Sequence, residues 1–166
     1  YRPPHNGKTH RITVNNDLNQ YAFLITAIHE FAHMTTHIKY GRGIKAHGLE
    51  WKNEFKRLLL PVLDSNELPE SIHNALIRSL NNLKASSCTD KNLYRALKEF
   101  DDSSKNSVLL EQLKNNQKFK LGKKVFQRGV LRRSRFLCEE VTSRKIYLVS
   151  ALAEVEPLNE GKEDGE

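Results

Sequence analysis

From Asn19 to Tyr40 apolar residues return at helical spacing with no proline or glycine between them, and the middle of that run reads His29-Glu30-Phe31-Ala32-His33. Histidines four apart on a helix share one face, with Cβ atoms about 6 Å apart. Both rings can then reach a single metal ion at about 2.1 Å. Glu30 follows the first histidine directly and projects beside such an ion rather than onto it. There a carboxylate can take a proton from water and pass it to a leaving amine. A helix that must hold this pair fixed needs neighbours to support it.

The chain around the pair supplies them. Phe23, Ala27, Phe31 and Met34, widened by Leu24 and Ile28, mark an apolar stripe on the first helix. Gly41 and Gly43 should stop it. A second helix is expected from Gly48 to Leu59, with Trp51, Phe55, Leu58 and Leu59 inward and Pro61 as its end. A third opens at Pro69, a good first helical position, and carries Ile72, Leu76, Leu80 and Leu83. Thr89 is placed to cap a shorter fourth through Leu93, Leu97 and Phe100. Ahead of the first helix, Tyr1 to Gly7 reads as loop. His10 to Asn15 alternates like a short half-buried strand, and Asn16-Asp17 reads as a turn or cap.

A tetrahedral catalytic site takes three protein ligands and leaves one position open. His37 continues the face of His29 but lies about 12 Å further along the axis, too far to share its ion. Glycine and histidine three and six residues after His33 would mark a metzincin; those positions hold Thr36 and Lys39. His47 is the best third ligand, because a glycine-containing loop lets the chain fold back before the second helix. Glu50 and Glu54 on that helix are the alternatives.

His29-Glu30-Phe31-Ala32-His33, then a short basic loop, then His47-Gly48-Leu49-Glu50-Trp51, resembles the SprT-like family that contains the Spartan proteases. The likeness spans about Pro3 to Phe55, and bacterial members are nearest in pattern. It implies a zincin-like core with one Zn²⁺ on His29, His33 and His47, Glu30 as the base, and Trp51 as core packing beyond the third ligand. It also implies an intracellular, nucleoid-associated zinc endopeptidase acting on proteins bound or crosslinked to DNA. Many relatives carry a C-terminal zinc ribbon with paired cysteines. Here Cys88 and Cys138 stand alone, too few for a four-thiolate ribbon, and they are read as reduced buried thiols of a cytoplasmic protein rather than as a disulfide.

After Asp101-Asp102-Ser103-Ser104 the pattern changes from helical to alternating. The expected architecture is α+β: a metallopeptidase core over 1–103 with an N-terminal strand, and a small basic antiparallel module of three or four strands over 104–156. An acidic tail, setting in at Glu154 and expected to lack fixed structure over 157–166, follows. No apolar run is long enough to span a membrane.

The formal charge of +7 favours an anionic partner. Lys118, Lys120, Lys123, Lys124, Arg128, Arg132, Arg133 and Arg135 form a basic segment interleaved with Phe119, Phe126 and Phe136. Charge with aromatic faces is the chemistry of single-strand binding. Alternation assigns the phenylalanines to a core and the cations to the outer face, either as a solvated face or, as the resemblance implies, as contacts for DNA, a field that Arg42 and Lys45 of the loop beside the first helix would extend. Tyr40, Arg42 and Lys45 are also the groups available to stabilise an oxyanion. Two other functions fit the same residues: a DNA-binding module with a structural zinc, and a zinc hydrolase of small molecules.

Overall fold

The computed structural model describes residues 1–81, 90–102 and 106–158. The chain divides into two compact units, Tyr1–Asp102 and Ser103–Glu166. The first is helical and the second is an antiparallel sheet, which makes the fold α+β.

Four helices build the first unit: α1 (Gln20–Tyr40), α2 (Leu49–Asp64), α3 (Glu70–Asn81) and α4 (Lys91–Lys98). Asn19 caps α1, its side-chain oxygen accepting from the N–H groups of Tyr21 and Ala22 at 3.1 and 2.9 Å. The same amide donates to Leu97 O at 2.8 Å and to Asp101 Oδ1 at 2.6 Å, which ties the start of α1 to the end of α4. Gly41, at φ +77°, ends α1 in a conformation that costs glycine little.

Four expectations for these helices need correction. Of the expected stripe, Ile28 and Leu24 face the core but the line through Phe23 and Phe31 does not. Phe23, Phe31 and Ile38 are 45%, 46% and 63% exposed, while Ile25, Ile28, His29, Ala32 and Thr36 are buried. α1 is apolar on both sides, so periodicity alone does not choose between them. Pro61 does not end α2, which continues to Asp64. Proline loses its own N–H and crowds the carbonyl four residues earlier, a cost that Leu59 and Leu63, four apart and both buried, offset by packing the last turn. Asp90 caps α4, accepting from Asn92 N–H at 2.8 Å and Leu93 N–H at 3.1 Å; Thr89, like Leu83 and Cys88, lies outside the described residues. Pro69 stands one position before α3, where its carbonyl accepts from His73 N–H at 2.9 Å.

The strand expected over His10 to Asn15 is reduced to a single bridge, Arg2 with Arg11. A strand needs a neighbour to satisfy its backbone, and among the described residues the helical unit offers this segment none beyond the chain's own first residues. Ile25, Ala32, Trp51, Phe55, Leu59, Ile72, Leu76 and Leu93 share the core of the unit.

In the second unit β1 (Val108–Leu109), β2 (Lys118–Leu121), β3 (Lys124–Arg132), β4 (Arg135–Glu140), β5 (Ile146–Ser150) and β6 (Glu154–Pro157) form one six-stranded sheet in the order β1-β6-β2-β3-β4-β5. Every pairing is antiparallel. Phe119, Phe126, Phe136, Cys138 and Val155 are buried at its centre with Leu110 and Leu113. The acidic tail therefore begins later than its composition suggests. Glu154 and Glu156 point to solvent while Val155 between them is buried, an alternation that makes β6 and places it between β1 and β2. β1 and β6 are the strands by which the sheet exceeds the expected three or four.

Candidate metal centre

The helix positions two of the three histidines and a strained turn positions the third. His29 and His33 project from adjacent turns of α1 with Nε2 atoms 3.1 Å apart. His47 lies between the helices at φ +58°, in the left-handed region that a residue with a side chain enters at a cost of about 1–2 kcal/mol. The next residue closes the turn, Gly48 N–H donating to Lys45 O at 2.8 Å. A Cβ on Gly48 would stand 2.8 Å from that same oxygen, so only glycine fits. The turn aims His47 back at α1, where its Nε2 lies 3.1 Å from that of His33 and 3.2 Å from that of His29.

Three Nε2 atoms thus form a nearly equilateral triangle. Nitrogens about 2.1 Å from one ion at tetrahedral angles stand about 3.4 Å apart, close to the observed spacing. Hydrogen bonding cannot account for all three sides, because a ring nitrogen that carries a proton has no lone pair left to accept with, so at least one pair must be donor against donor or acceptor against acceptor. A cation can accept all three lone pairs at once. His29, His33 and His47 are the one set of metal-capable side chains found together among the described residues.

Trp51 supports all three imidazoles. Its ring centroid lies 4.7 Å from His29, 5.3 Å from His33 and 4.7 Å from His47, and it stacks at 5.0 Å on Phe55 beneath. At 2% exposure it belongs to the core, as its position beyond the third ligand implies. Glu54, one of the alternative ligands, is otherwise engaged. Its two oxygens accept from Lys39 of α1 at 3.0 Å and from Arg57 at 2.8 Å, and Arg57 first, then Lys39, holds its carboxyl below the usual range. Glu50 does not belong to the triangle.

Glu30 is partly buried, and its carboxylate accepts from the main-chain amino group of Tyr1. His37 sits apart from the metal triangle, in a ring cluster with Tyr1 at 6.1 Å and His10 at 5.8 Å. A depression of about 270 Å³ opens on His33. Arg42 and Lys45 line it and Tyr40 does not, so two of the three expected oxyanion groups border the site. Thr36 also lines it, and its buried hydroxyl has no partner among the described residues. Spacing alone marked neither Thr36 nor the Lys39–Glu54 tie; Thr36 lies seven residues after His29, on the same face.

The basic residues of the second unit divide by environment. Lys124 pairs with Glu140 at 3.1 Å and Lys120 with Glu156 at 3.7 Å. The Arg128 guanidinium lies 3.8 Å over the Phe136 ring. Lys118, Lys123, Arg132, Arg133 and Arg135 remain exposed. Phe119, Phe126 and Phe136 are interior and offer no face to a base. Cys138 is a buried thiol whose pKa burial raises, in keeping with the reduced form expected.

Compared with models of protein families, with curated proteins and with solved structures, the chain gives no match.

Burial, then the nearby His33 and His47, lowers the pKa of His29 from 6.5 to about 4, and burial with His47 lowers that of His33. Between those two values the unfolded chain binds a proton at His29 that the folded chain does not, so stability rises with pH there. The metal-free protein should therefore lose stability as pH falls from about 6.5 toward 4, whereas protons should compete with a metal at His29 only as pH nears about 4. Urea midpoints of the metal-free protein at a series of pH values check this. A midpoint that stays level across the window would contradict the buried, neutral state of His29.

Proposed function

We propose that this chain is a zinc-dependent metallopeptidase of the SprT type, with the helical unit as a zincin-like core. The observation that carries the reading is the Nε2 triangle of His29, His33 and His47, with sides of 3.1–3.2 Å, on a helix that places Glu30 directly after the first ligand. A set of three imidazoles without thiolate suits zinc, and three protein ligands leave the fourth position that a catalytic site needs. Zinc held there supplies a Lewis acid that polarises a carbonyl and makes water acidic enough to ionise near neutral pH.

The chain's own groups do the rest. Glu30 takes the proton from the attacking water and delivers it to the leaving amine. Trp51 fixes the orientation of all three imidazoles and keeps water from their inner side. Arg42 and Lys45 border the depression from which a substrate carbonyl approaches and offer positive charge to its oxygen. The resemblance to Spartan-type proteases supports substrates that are proteins bound or crosslinked to DNA, and the net charge of +7 is in keeping with an anionic template.

Purified protein is expected to contain one zinc per chain and to cleave a DNA-bound protein. Chelation should abolish cleavage and added zinc should restore it. Full activity in the metal-free protein would overturn the proposal.

A further inference from the structure

Strand β5 is an edge of the sheet, paired with β4 alone. Edge strands are commonly guarded by charge, proline or a bulge. β5 reads Ile146-Tyr147-Leu148-Val149-Ser150, with no charge or proline, and it pairs with β4 in unbroken register. Ile146 and Leu148 are 59% and 54% exposed, large apolar groups that this sheet leaves uncovered.

The backbone is exposed along with them. Glu140 N–H donates to Lys145 O at 2.9 Å and Ala151 N–H to Ser134 O at 3.0 Å. Hydrogen-bonded pairs alternate along an antiparallel ladder, so Cys138 with Tyr147 and Phe136 with Val149 are the pairs between them. The N–H and C=O groups of Ile146 and Leu148 then point away from β4 to the free edge. No main-chain partner meets them there among the described residues.

Charge brackets this edge. At one end the β3–β4 hairpin presents Arg132, Arg133 and Arg135, and Arg135 is paired with Ser150. These three arginines, Ser134 and Leu148 line one depression of about 620 Å³, which joins the cationic tip to the apolar edge. At the other end Lys145 is exposed, next to Ile146. Among the described residues, none of these four cations is paired with a carboxylate.

We propose that β5 is the docking edge for an extended segment of another protein, apolar at its centre and acidic at both ends, which adds to the sheet as one further strand. Main-chain bonds to Ile146 and Leu148 give the register, their side chains meet the apolar centre, and the arginine tip and Lys145 hold the acidic ends. A second copy of this chain fits poorly, because antiparallel β5–β5 pairing would set the arginine end of each copy against the Lys145 end of the other. Nucleic acid fits poorly too. It cannot use the main-chain ladder, and the aliphatic groups of β5 offer no ring face, while Tyr147 is engaged by Phe126 and Lys124.

The probe is a fluorescent peptide with valine and isoleucine at the centre and glutamates at both ends, titrated by anisotropy into the full chain. Saturable binding is expected, weakening as ionic strength rises. Combined Arg132→Glu and Arg135→Glu should weaken it about tenfold or more, and so should combined Ile146→Thr and Leu148→Thr, a β-favouring swap at exposed positions that keeps the strand. The same peptide N-methylated along one edge should not bind, a readout that needs no variant to fold. Absence of saturable binding, or equal binding of the N-methylated peptide, would overturn the proposal. So would oligothymidine bound through the arginines in place of the peptide, or self-association abolished by the threonine pair without peptide binding.

Discussion

Glu30→Gln is expected to leave zinc stoichiometry and fold unchanged while lowering the turnover of peptide-bond cleavage by about 10²–10⁴-fold, the usual contribution of a positioned acid–base group. Glu30 is not part of the nitrogen triangle, so losing its charge removes no ligand. Glutamine has nearly the same volume and keeps an acceptor oxygen in the same place. What it cannot do is hold a proton between water and the leaving amine.

The loss should fall on kcat with KM little altered, because a proton relay acts in the transition state rather than in binding. Metal analysis, far-UV circular dichroism and steady-state cleavage of a DNA-bound protein separate these quantities. A variant that cleaves as fast as the wild type would refute the role of Glu30. A variant that lost its zinc would show that the carboxylate supports the metal instead.

How much of this site was legible in the sequence depends on whether the decisive physics is local. The four-residue spacing of His29 and His33 fixes their common face by helix geometry alone, and the structure brings both nitrogens together. The stop at Gly41 is local as well, while Asn16-Asp17 forms the turn and the cap falls to Asn19 instead of to that pair. The inward face of α1 is not local. Phe23 and Phe31 are larger than Ala32 and Thr36, yet the smaller residues are buried because α2 passes close over them. The histidine itself held the clue, since Ile25, Ala32 and Thr36 lie on the face of His29 and Phe23 does not.

Glu54 shows the same limit. A carboxylate on the inner face of an amphipathic helix looks misplaced until Lys39 arrives from the neighbouring helix to pair with it. Pro61 and the strand at Glu154 depart from expectation for a related reason: the breaking tendency of a proline and the acidity of a segment are local propensities, whereas the burial of Leu63 and Val155 is decided by packing. In the second unit, alternation correctly put the three phenylalanines inside. It could not show that Lys120 and Lys124 would be neutralised by Glu156 and Glu140 from other strands.

His47→Gly is expected to weaken zinc binding by more than about a hundredfold, the upper range for losing even a group that only supports a ligand. It should do so while hardly changing the stability of the metal-free protein. Two local effects oppose each other there. Glycine relieves the left-handed backbone at φ +58°, about 1 kcal/mol in its favour. The loss of the imidazole edge on Trp51, at 4.7 Å, costs about 0.5–1.5 kcal/mol.

With those nearly offset, the metal-free Tm should stay close to the wild type, and the rise in Tm that zinc gives the wild type should vanish. That contrast separates a ligand from a residue that merely packs, which would lower the metal-free Tm and leave the zinc response intact. Trp51, the chain's single tryptophan, lies against all three imidazoles, so its emission reports zinc occupancy directly in both proteins. If zinc affinity survived in His47→Gly, the third ligand would have to come from elsewhere. Glu50 would be tested next, since Glu54 is held by Lys39 and Arg57.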